Sequence, residues 1–357
     1  MTRPFESLST RKFTGVPNLL GQNKEKKVAL IATVLNEESS IRLLLESILQ
    51  QSRQPDEVVI VDGGSSDSTV SIIKSYANRL PLKLIEAPGV NIARGRNLAI
   101  AESSCQTIAA TDAGVSLAPT WLESLLRPFY DYPDGPLLVS CGFFLPSADT
   151  AFELAMGATV IPDIEDINPE EFLPSSRSVA FSKEAWRVAG GYPEWLDYCE
   201  DLVFDMRLKK AGATFVWCPE AVVYFRPRGD LKSFFRQYYR YARGDGKANL
   251  WRKRHLIRYL SYGYALSTIA FGNRWKVLWP LLLLGSAAHL YRPYARLLPK
   301  LKKTSKAEQL EAFSWVPIIR ATGDIAKIVG YPVGLAWRWK YRRNEAVRHQ
   351  LEPDKSE

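Results

Sequence analysis

An α/β protein with a mostly parallel sheet covered by helices on both faces is the fold class that the N-terminal half of this sequence predicts. Three observations predict it. Apolar strand-like runs alternate with helix-period segments from Val28 to Thr111. The run Val58–Val61 is unbroken and β-branched, the pattern of a strand buried on both faces. Two such strands end in a carboxylate, Asp62 before Gly63-Gly64 and Asp112 before Ala113-Gly114, at the sheet edge where ligands bind in open α/β folds.

The elements follow in order. Val28–Thr33 is the first strand. Asn36-Glu37-Glu38 places a cap and two acids where a helix dipole favours them, and Ile41, Leu44, Leu45, Ile48 and Leu49 share one helical face. Gln54-Pro55-Asp56 turns into the Val58 strand, whose Gly-Gly-Ser-Ser turn leads to Asp67-Ser-Thr, a capping sequence for a helix to Ala77. A strand at 82–86, a helix over 91–101 carrying Arg94, Arg96 and Asn97, and a strand at 107–111 complete the half. Neither GxGxxG after the first strand nor GxxxxGK[ST] occurs, which removes the main support for dinucleotide and P-loop sites.

With 357 residues, 46% of them hydrophobic, the chain can bury a full core and carry an appendage. Its net charge of +9 is uneven: between Arg226 and Leu260 eleven Lys or Arg face two acids. Such a patch suits nucleic acid, anionic lipid or phosphorylated ligands. Sixteen Tyr and ten Trp favour a membrane interface over a nucleic-acid module, so no nucleic-acid partner is expected. The four cysteines lack CxxC spacing and suit reduced thiols of a cytosolic protein, and three scattered histidines make no zinc motif.

Asp62 and Asp112, with a two-arginine helix between them in the chain, could hold a base or ribose, a divalent cation and a diphosphate. Asp62 could equally only cap its turn. Farther along, Gly190-Gly191-Tyr192-Pro193 and Cys199-Glu200-Asp201 precede an amphipathic helix. Asp201, at that helix's amino end, could deprotonate a hydroxyl acceptor, or Glu200-Asp201 could merely cap the helix.

In this order, Thr33-Val-Leu35-Asn-Glu37, Val61-Asp-Gly-Gly-Ser-Ser-Asp67, Arg94-Gly-Arg96-Asn97, Thr111-Asp-Ala-Gly114, Gly190-Gly-Tyr192 and Glu200-Asp201 resemble glycosyltransferase family 2 over about residues 27–246. The resemblance implies a GT-A fold and inverting transfer of a sugar from a nucleotide-diphosphate donor. It implies Thr33, Leu35, Glu37 and Asp62 at the nucleoside and Arg94, Arg96 and Asn97 near the nucleotide. It implies Asp112 at metal and ribose, with Mg²⁺ or Mn²⁺ as the cation, and Asp201, beside Glu200, as catalytic base. Gln237-Tyr-Tyr-Arg240-Tyr241 resembles the family's QxxRW element beside acceptor and diphosphate, where Arg236, Arg240 and Arg243 could stabilise the leaving group. Gly114 replaces the second aspartate of the family's DxD motif, and Tyr241 replaces the tryptophan. The rivals are a nucleotidyltransferase, whose Gly-rich signature is absent, and a non-catalytic sugar-nucleotide or nucleic-acid binding protein using the basic patch.

The expected organisation is a flexible tail over 1–27 without a secretory signal, a catalytic domain over 28–246, a helical membrane-associated region over 247–345, and a disordered tail over 346–357. Leu256–Phe271 and Trp275–Leu290 are apolar but interrupted by Arg258, Lys276 and Pro280, and shorter than the roughly 20 residues of a span. They suit helices lying in the bilayer face, or a buried hairpin, or a short two-pass hairpin. Lys300–Lys306 suits a basic linker, and 313–337 a further interfacial stretch. The expected setting is the cytoplasmic face of the cell membrane, with a lipid-linked or polysaccharide acceptor.

Overall fold

The structure, a computed structural model, describes residues 26–132, 137–344 and 347. All but three residues of the two expected tails (26, 27 and 347) lie outside them. The first half follows the expected alternation: β1 (Val28–Val34), α1 (Ile41–Leu49), β2 (Glu57–Asp62), α2 (Thr69–Lys74), β3 (Leu82–Glu86), α3 (Ile92–Glu102) and β4 (Thr107–Ala110). Next come β5 (Val115–Leu117), α4 (Trp121–Asp131), β6 (Leu138–Pro146), α5 (Ala151–Val160), β7 (Val179–Ser182), α6 (Lys183–Val188), α7 (Glu200–Lys210) and β8 (Thr214–Phe225). The chain continues through α8 (Leu231–Ala248), α9 (Arg252–Phe271), α10 (Leu278–Lys300) and α11 (Lys306–Tyr341).

Eight strands form one sheet in the order β3-β2-β1-β4-β7-β6-β8-β5. The first four are parallel. Beyond β4 the sheet is mixed: β7 runs antiparallel to both β4 and β6, β8 parallel to β6, and β5 antiparallel to β8. The parallel expectation therefore holds for the nucleotide-type half and not for the whole sheet.

Alternation along the central strands explains their unbroken apolar sequence. Leu30, Ala32, Val58 and Ile60 point to a core shared with Ile41, Leu44, Leu45, Trp121 and Leu125 of α1 and α4. Ala29, Ile31, Val59 and Val61 point the other way, to Ala99 and Ile100 of α3 and Phe204 and Leu208 of α7. Both faces are dry, so neither needs a polar residue. One local expectation fails. Asn36 does not cap α1, which starts only at Ile41; it takes a left-handed φ of 55° and its Oδ1 accepts from Ser66 N at 2.9 Å, joining the loops after β1 and β2.

The boundary expected at residue 246 falls inside α8. This helix packs along α11, with Phe234, Val316 and Ile319 sharing a core with Phe152 and Met156 of α5. One side of the stretch 313–337, expected at an interface, is packed: Val316, Ile319, Gly323, Ala326, Gly330 and Gly334 recur at three- and four-residue spacing there, while Phe313, Ile318, Ile325, Val329 and Val333 are exposed on the rest of the helix. Lys300–Lys306 is a 3-10 turn at Leu301–Lys303 followed by a capping box in which Ser305 and Glu308 serve each other's backbone.

The α8–α11 approach is set by missing side chains. A Cβ on Gly334 would stand 2.2 Å from the Arg243 carbonyl oxygen, and one on Gly246 2.3 Å from that of Tyr331. No helix among the described residues is long and apolar enough to cross a membrane. The outer side of α9 and α10 is nevertheless apolar and exposed, with Leu260, Leu266, Ile269, Leu283 and Leu284 each more than 60% accessible.

Gly334→Ala tests the crossing. Alanine is the better helix former by about 1 kcal/mol, but the clash with backbone atoms that cannot rotate away outweighs it. A net loss of about 1–3 kcal/mol is expected in denaturant unfolding.

Candidate active site

The site is built at the carboxyl edge of β1, β2 and β4, between α3 and α7. Arg96, one turn into α3, is 2% exposed and bridges two acids far away in the chain. Its Nη1 donates to Glu200 Oε1 at 2.6 Å and its Nη2 to Asp112 Oδ1 at 2.7 Å. Burial opposes its charge, yet the two carboxylates hold its proton more firmly than in an ordinary arginine. Below it lies Tyr192, with the guanidinium carbon 5.4 Å from the ring centroid. The second oxygen of Asp112 faces Arg177 Nε at 3.2 Å.

Gly190 and Gly191 explain how Tyr192 is aimed. Both have φ of 71°, which favours glycine. The turn they make is clamped by Asn97: its Oδ1 accepts from Tyr192 N and Trp186 Nε1, and its Nδ2 donates to Tyr192 O and Glu194 Oε1. That arrangement uses the amide's full hydrogen-bonding capacity within the protein. Arg96 is likewise committed to carboxylates rather than to a diphosphate. Arg94, exposed and with no ion pair among the described residues, is the member of this motif left for an anion.

Cys199 precedes α7 in a left-handed conformation, φ 63°, costly for a residue with a Cβ. It sets Glu200 inward and Asp201 toward the cleft. Asp201 accepts from Leu202 N at 2.8 Å, and its other oxygen stands 3.5 Å from Ser175 Oγ. Burial and the neighbouring Asp201 push Glu200 up to about 7, against the pull of Arg96. One turn on, Asp205 is fully buried with Oδ2 lacking a partner; burial, then Asp201, drives its carboxyl strongly toward the neutral form.

Asp62 realises the turn-capping alternative. Its Oδ2 accepts from Gly64 N and Ser65 N, both at 2.9 Å, and its Oδ1 from the Ser65 hydroxyl at 2.5 Å. At 2% exposure it presents little surface to a nucleoside; its part is to shape the loop. Asp62 stands on the same edge as Asp112, with β1 between their strands. Between them, Glu37 lies with Oε2 3.9 Å from where a Cβ on Gly114 would be, and its carboxylate accepts from the Ser40 hydroxyl. Thr33 packs against α3 at Gly95, and Leu35 is exposed at the edge.

On the other wall, Gln237 Nε2 donates to the Tyr241 hydroxyl at 2.8 Å, and Gln237 Oε1 is buried without a partner. Arg240 donates to the Tyr198 hydroxyl at 2.9 Å, and Arg243 lies 3.3 Å from Asp197. Arg236 has no ion pair among the described residues. Arg177 was not foreseen. It lies in an irregular loop before β7, in no motif, and its guanidinium also sits over Phe144 and Phe225 at 5.4 and 5.2 Å.

As a metal centre the arrangement does not fit. Both Asp112 oxygens are already ion-paired with guanidinium groups, Gly114 offers no second carboxylate, and no group of three or more His, Cys, Asp or Glu suited to a metal exists among the described residues. A cation at Asp112 would have to displace an arginine. The expected metal role of Asp112 is replaced by an arginine-bridged one.

Two family profiles match the chain: "Glycosyl transferase family 2" over residues 29–147 and "Glycosyl transferase family group 2" over residues 168–320. The chain belongs to glycosyltransferase family 2. It is an enzyme of that class. It is similar to the O-antigen chain rhamnosyltransferase RfbN of Salmonella typhimurium, 26% identical over 58% of this chain and 70% of that protein. It is also similar to the O-antigen chain rhamnosyltransferase WbaN of Salmonella anatum, 27% identical over 52% of this chain and 62% of that one. The succinoglycan biosynthesis protein ExoA of Rhizobium meliloti is 28% identical over 61% of this chain and 68% of its own. Among solved structures, S. aureus TarS residues 1–349 align over 89% of this chain and 91% of that one, at 18% identity and a TM-score of 0.46. The Pyrobaculum calidifontis mannosyltransferase PcManGT, solved with GDP-Man and Mn²⁺, aligns over 89% and 88%, at 17% identity and 0.49.

Removing the bridge should cost stability. Arg96→Met leaves the buried Glu200 without its cation and Asp112 with Arg177 alone, and a loss of about 3–5 kcal/mol is expected at pH 8. Because Glu200 takes up a proton below about 7, where its interaction with Arg96 weakens, the deficit should shrink at pH 5. Unfolding of both proteins at the two pH values checks this.

Proposed function

We propose that this glycosyltransferase transfers a sugar from a nucleotide-diphosphate donor to a hydroxyl of a saccharide acceptor with inversion, Asp201 acting as the base. The observation that carries the reading is the ionic bridge Asp112–Arg96–Glu200, which brings the β4 edge and the amino end of α7 to one cleft and leaves Asp201 outside the ion pairs. In a single displacement the acceptor oxygen attacks the anomeric carbon. The bond from that carbon to the diphosphate oxygen breaks, the hydroxyl proton goes to Asp201, and the nucleoside diphosphate leaves. Negative charge growing on the diphosphate falls to the arginines at the cleft, Arg177, Arg236 and Arg240, with Arg94 at its rim. No step is assigned to a metal.

The acceptor we propose is lipid-linked or a growing polysaccharide, met at the cytoplasmic face of the membrane. The exposed apolar side of α9 and α10, flanked by Arg252, Lys253, Arg254, Arg274 and Trp275, supports a hairpin resting in the headgroup region. Four unpaired cysteines suit a reducing compartment. The O-antigen and succinoglycan activities of the relatives support a surface polysaccharide as product.

Asp201→Asn is expected to cut transfer by about 10²–10⁴-fold while leaving nucleotide-sugar binding intact in a thermal-shift assay. Normal turnover in that variant would remove the base assignment. For the membrane, Leu260→Asp combined with Leu284→Asp should abolish cosedimentation with anionic vesicles without altering the thermal midpoint, since both side chains face solvent.

A further inference from the structure

A second polar cavity, of about 370 Å³, opens behind the catalytic cleft among the end of α5, α8, α10 and α11. Its wall carries His289, Arg292, Arg296, Arg320 and Lys327, with Tyr238 toward the cleft. Carboxylates answer only part of this charge. Arg296 pairs with Asp166 at 2.8 Å. Arg320 is 4.0 Å from Asp324, a residue already held by Arg258 at 2.8 Å and His289 at 2.9 Å. Arg292 and Lys327 have no carboxylate within ion-pair distance among the described residues. Lys327 Nζ instead sits 4.9 Å from the centre of the Tyr238 ring. Burial, then the neighbouring Arg258, depresses its ammonium to about 8, against the weaker pull of Asp324.

Position gives the cavity its meaning. Tyr238 lies within electrostatic reach of both Arg177, on the cleft side, and Arg320, on the cavity side. Its ring meets that of Tyr241 at 5.7 Å, and Tyr241 holds Gln237. One aromatic layer thus separates the cavity from the proposed reaction centre. On the opposite side, α10 carries Arg292 at the cavity and Leu283 and Leu284 on the exposed apolar face.

We infer that this cavity is an anion site for a phosphate or diphosphate group, and that in turnover the group is the one joining the acceptor sugar to its lipid. Unpaired Arg292 and Lys327 would take the phosphoryl oxygens in charge-assisted hydrogen bonds. The acceptor sugar would then reach past Tyr238 to Asp201 and the lipid chain would follow α9 and α10. This last assignment rests on the proposed function; the anion site itself does not.

The test uses the full chain and two probes. Inorganic diphosphate is titrated by calorimetry into the unaltered chain, Arg292→Ala and Lys327→Met, with thermal midpoints without anion as the check on folding. Arg292 is exposed, so its variant keeps a measurable fold. Saturable binding is expected in the unaltered chain, weakened about tenfold or more by either substitution. Phosphatidylcholine vesicles with and without a polyprenyl phosphate separate the sources. Tighter binding to the doped vesicles, lost in both variants, identifies the lipid-linked group. Equal binding to both vesicles, with diphosphate binding intact, assigns the site to a free anion and overturns the acceptor assignment. Unchanged diphosphate affinity in both variants, or no binding of either probe, overturns the anion site. Donor hydrolysis by the unaltered chain reports separately on the catalytic reading: hydrolysis without cavity binding removes this inference alone, and cavity binding without hydrolysis removes only the other.

Discussion

The buried guanidinium of Arg96 is the interaction on which the functional half of the molecule depends. It links α3, which follows β3, to β4 through Asp112 and to α7 through Glu200, an acid 104 residues later in the chain. A cation with this little exposure is tolerable only because two carboxylates and the face of Tyr192 surround it. The same contacts fix the amino end of α7, so Asp201 inherits its position from an ion pair it does not join. Strain at Cys199 and the protein-filled hydrogen bonding of Asn97 serve the same end. They are costs absorbed by a rigid surrounding, as expected where geometry matters more than local stability.

A second constraint is the close crossing of α8 and α11. Glycines at 246, 330 and 334 let two backbones meet where a single methyl group would collide with carbonyl oxygens. The crossing matters to the site because α8 carries Gln237, Arg240 and Tyr241. The C-terminal helices are therefore not an appendage added after a finished catalytic domain. They are one wall of the cleft, and the basic cavity lies within that wall. Uncovered apolar side chains lie on α9 and α10 and also along the outer side of α11, at Leu310, Ile318, Ile325, Val329 and Val333.

Much of the catalytic half was legible in the sequence because its signals are local. Val58–Val61 needs no partner to announce a doubly buried strand, and Asn91 caps α3 with its own side chain. Arg177 was illegible because an arginine in an irregular loop carries no periodicity; only the fold sets it against Asp112. For Asn97 and Arg96 the motif gives a place in a helix near the nucleotide without saying that Tyr192 and Glu200 would be their partners. The packed side of the stretch 313–337 was illegible for the converse reason. Its glycines and charges dilute its hydropathy, yet those glycines are what allow it to pack on α8.

By itself the sequence determined the βα order of the first four strands, the family, and the acids at the strand and helix ends, because strand burial, turn glycines and capping residues act over a few positions. Only the tertiary structure decided which acids are ligands of arginines and which one is free, that the second half of the sheet is mixed, and that the C-terminal helices close the cleft. Those outcomes depend on pairing between residues up to about a hundred positions apart. Charge neutralisation and backbone approach at that range leave no periodic trace in the chain.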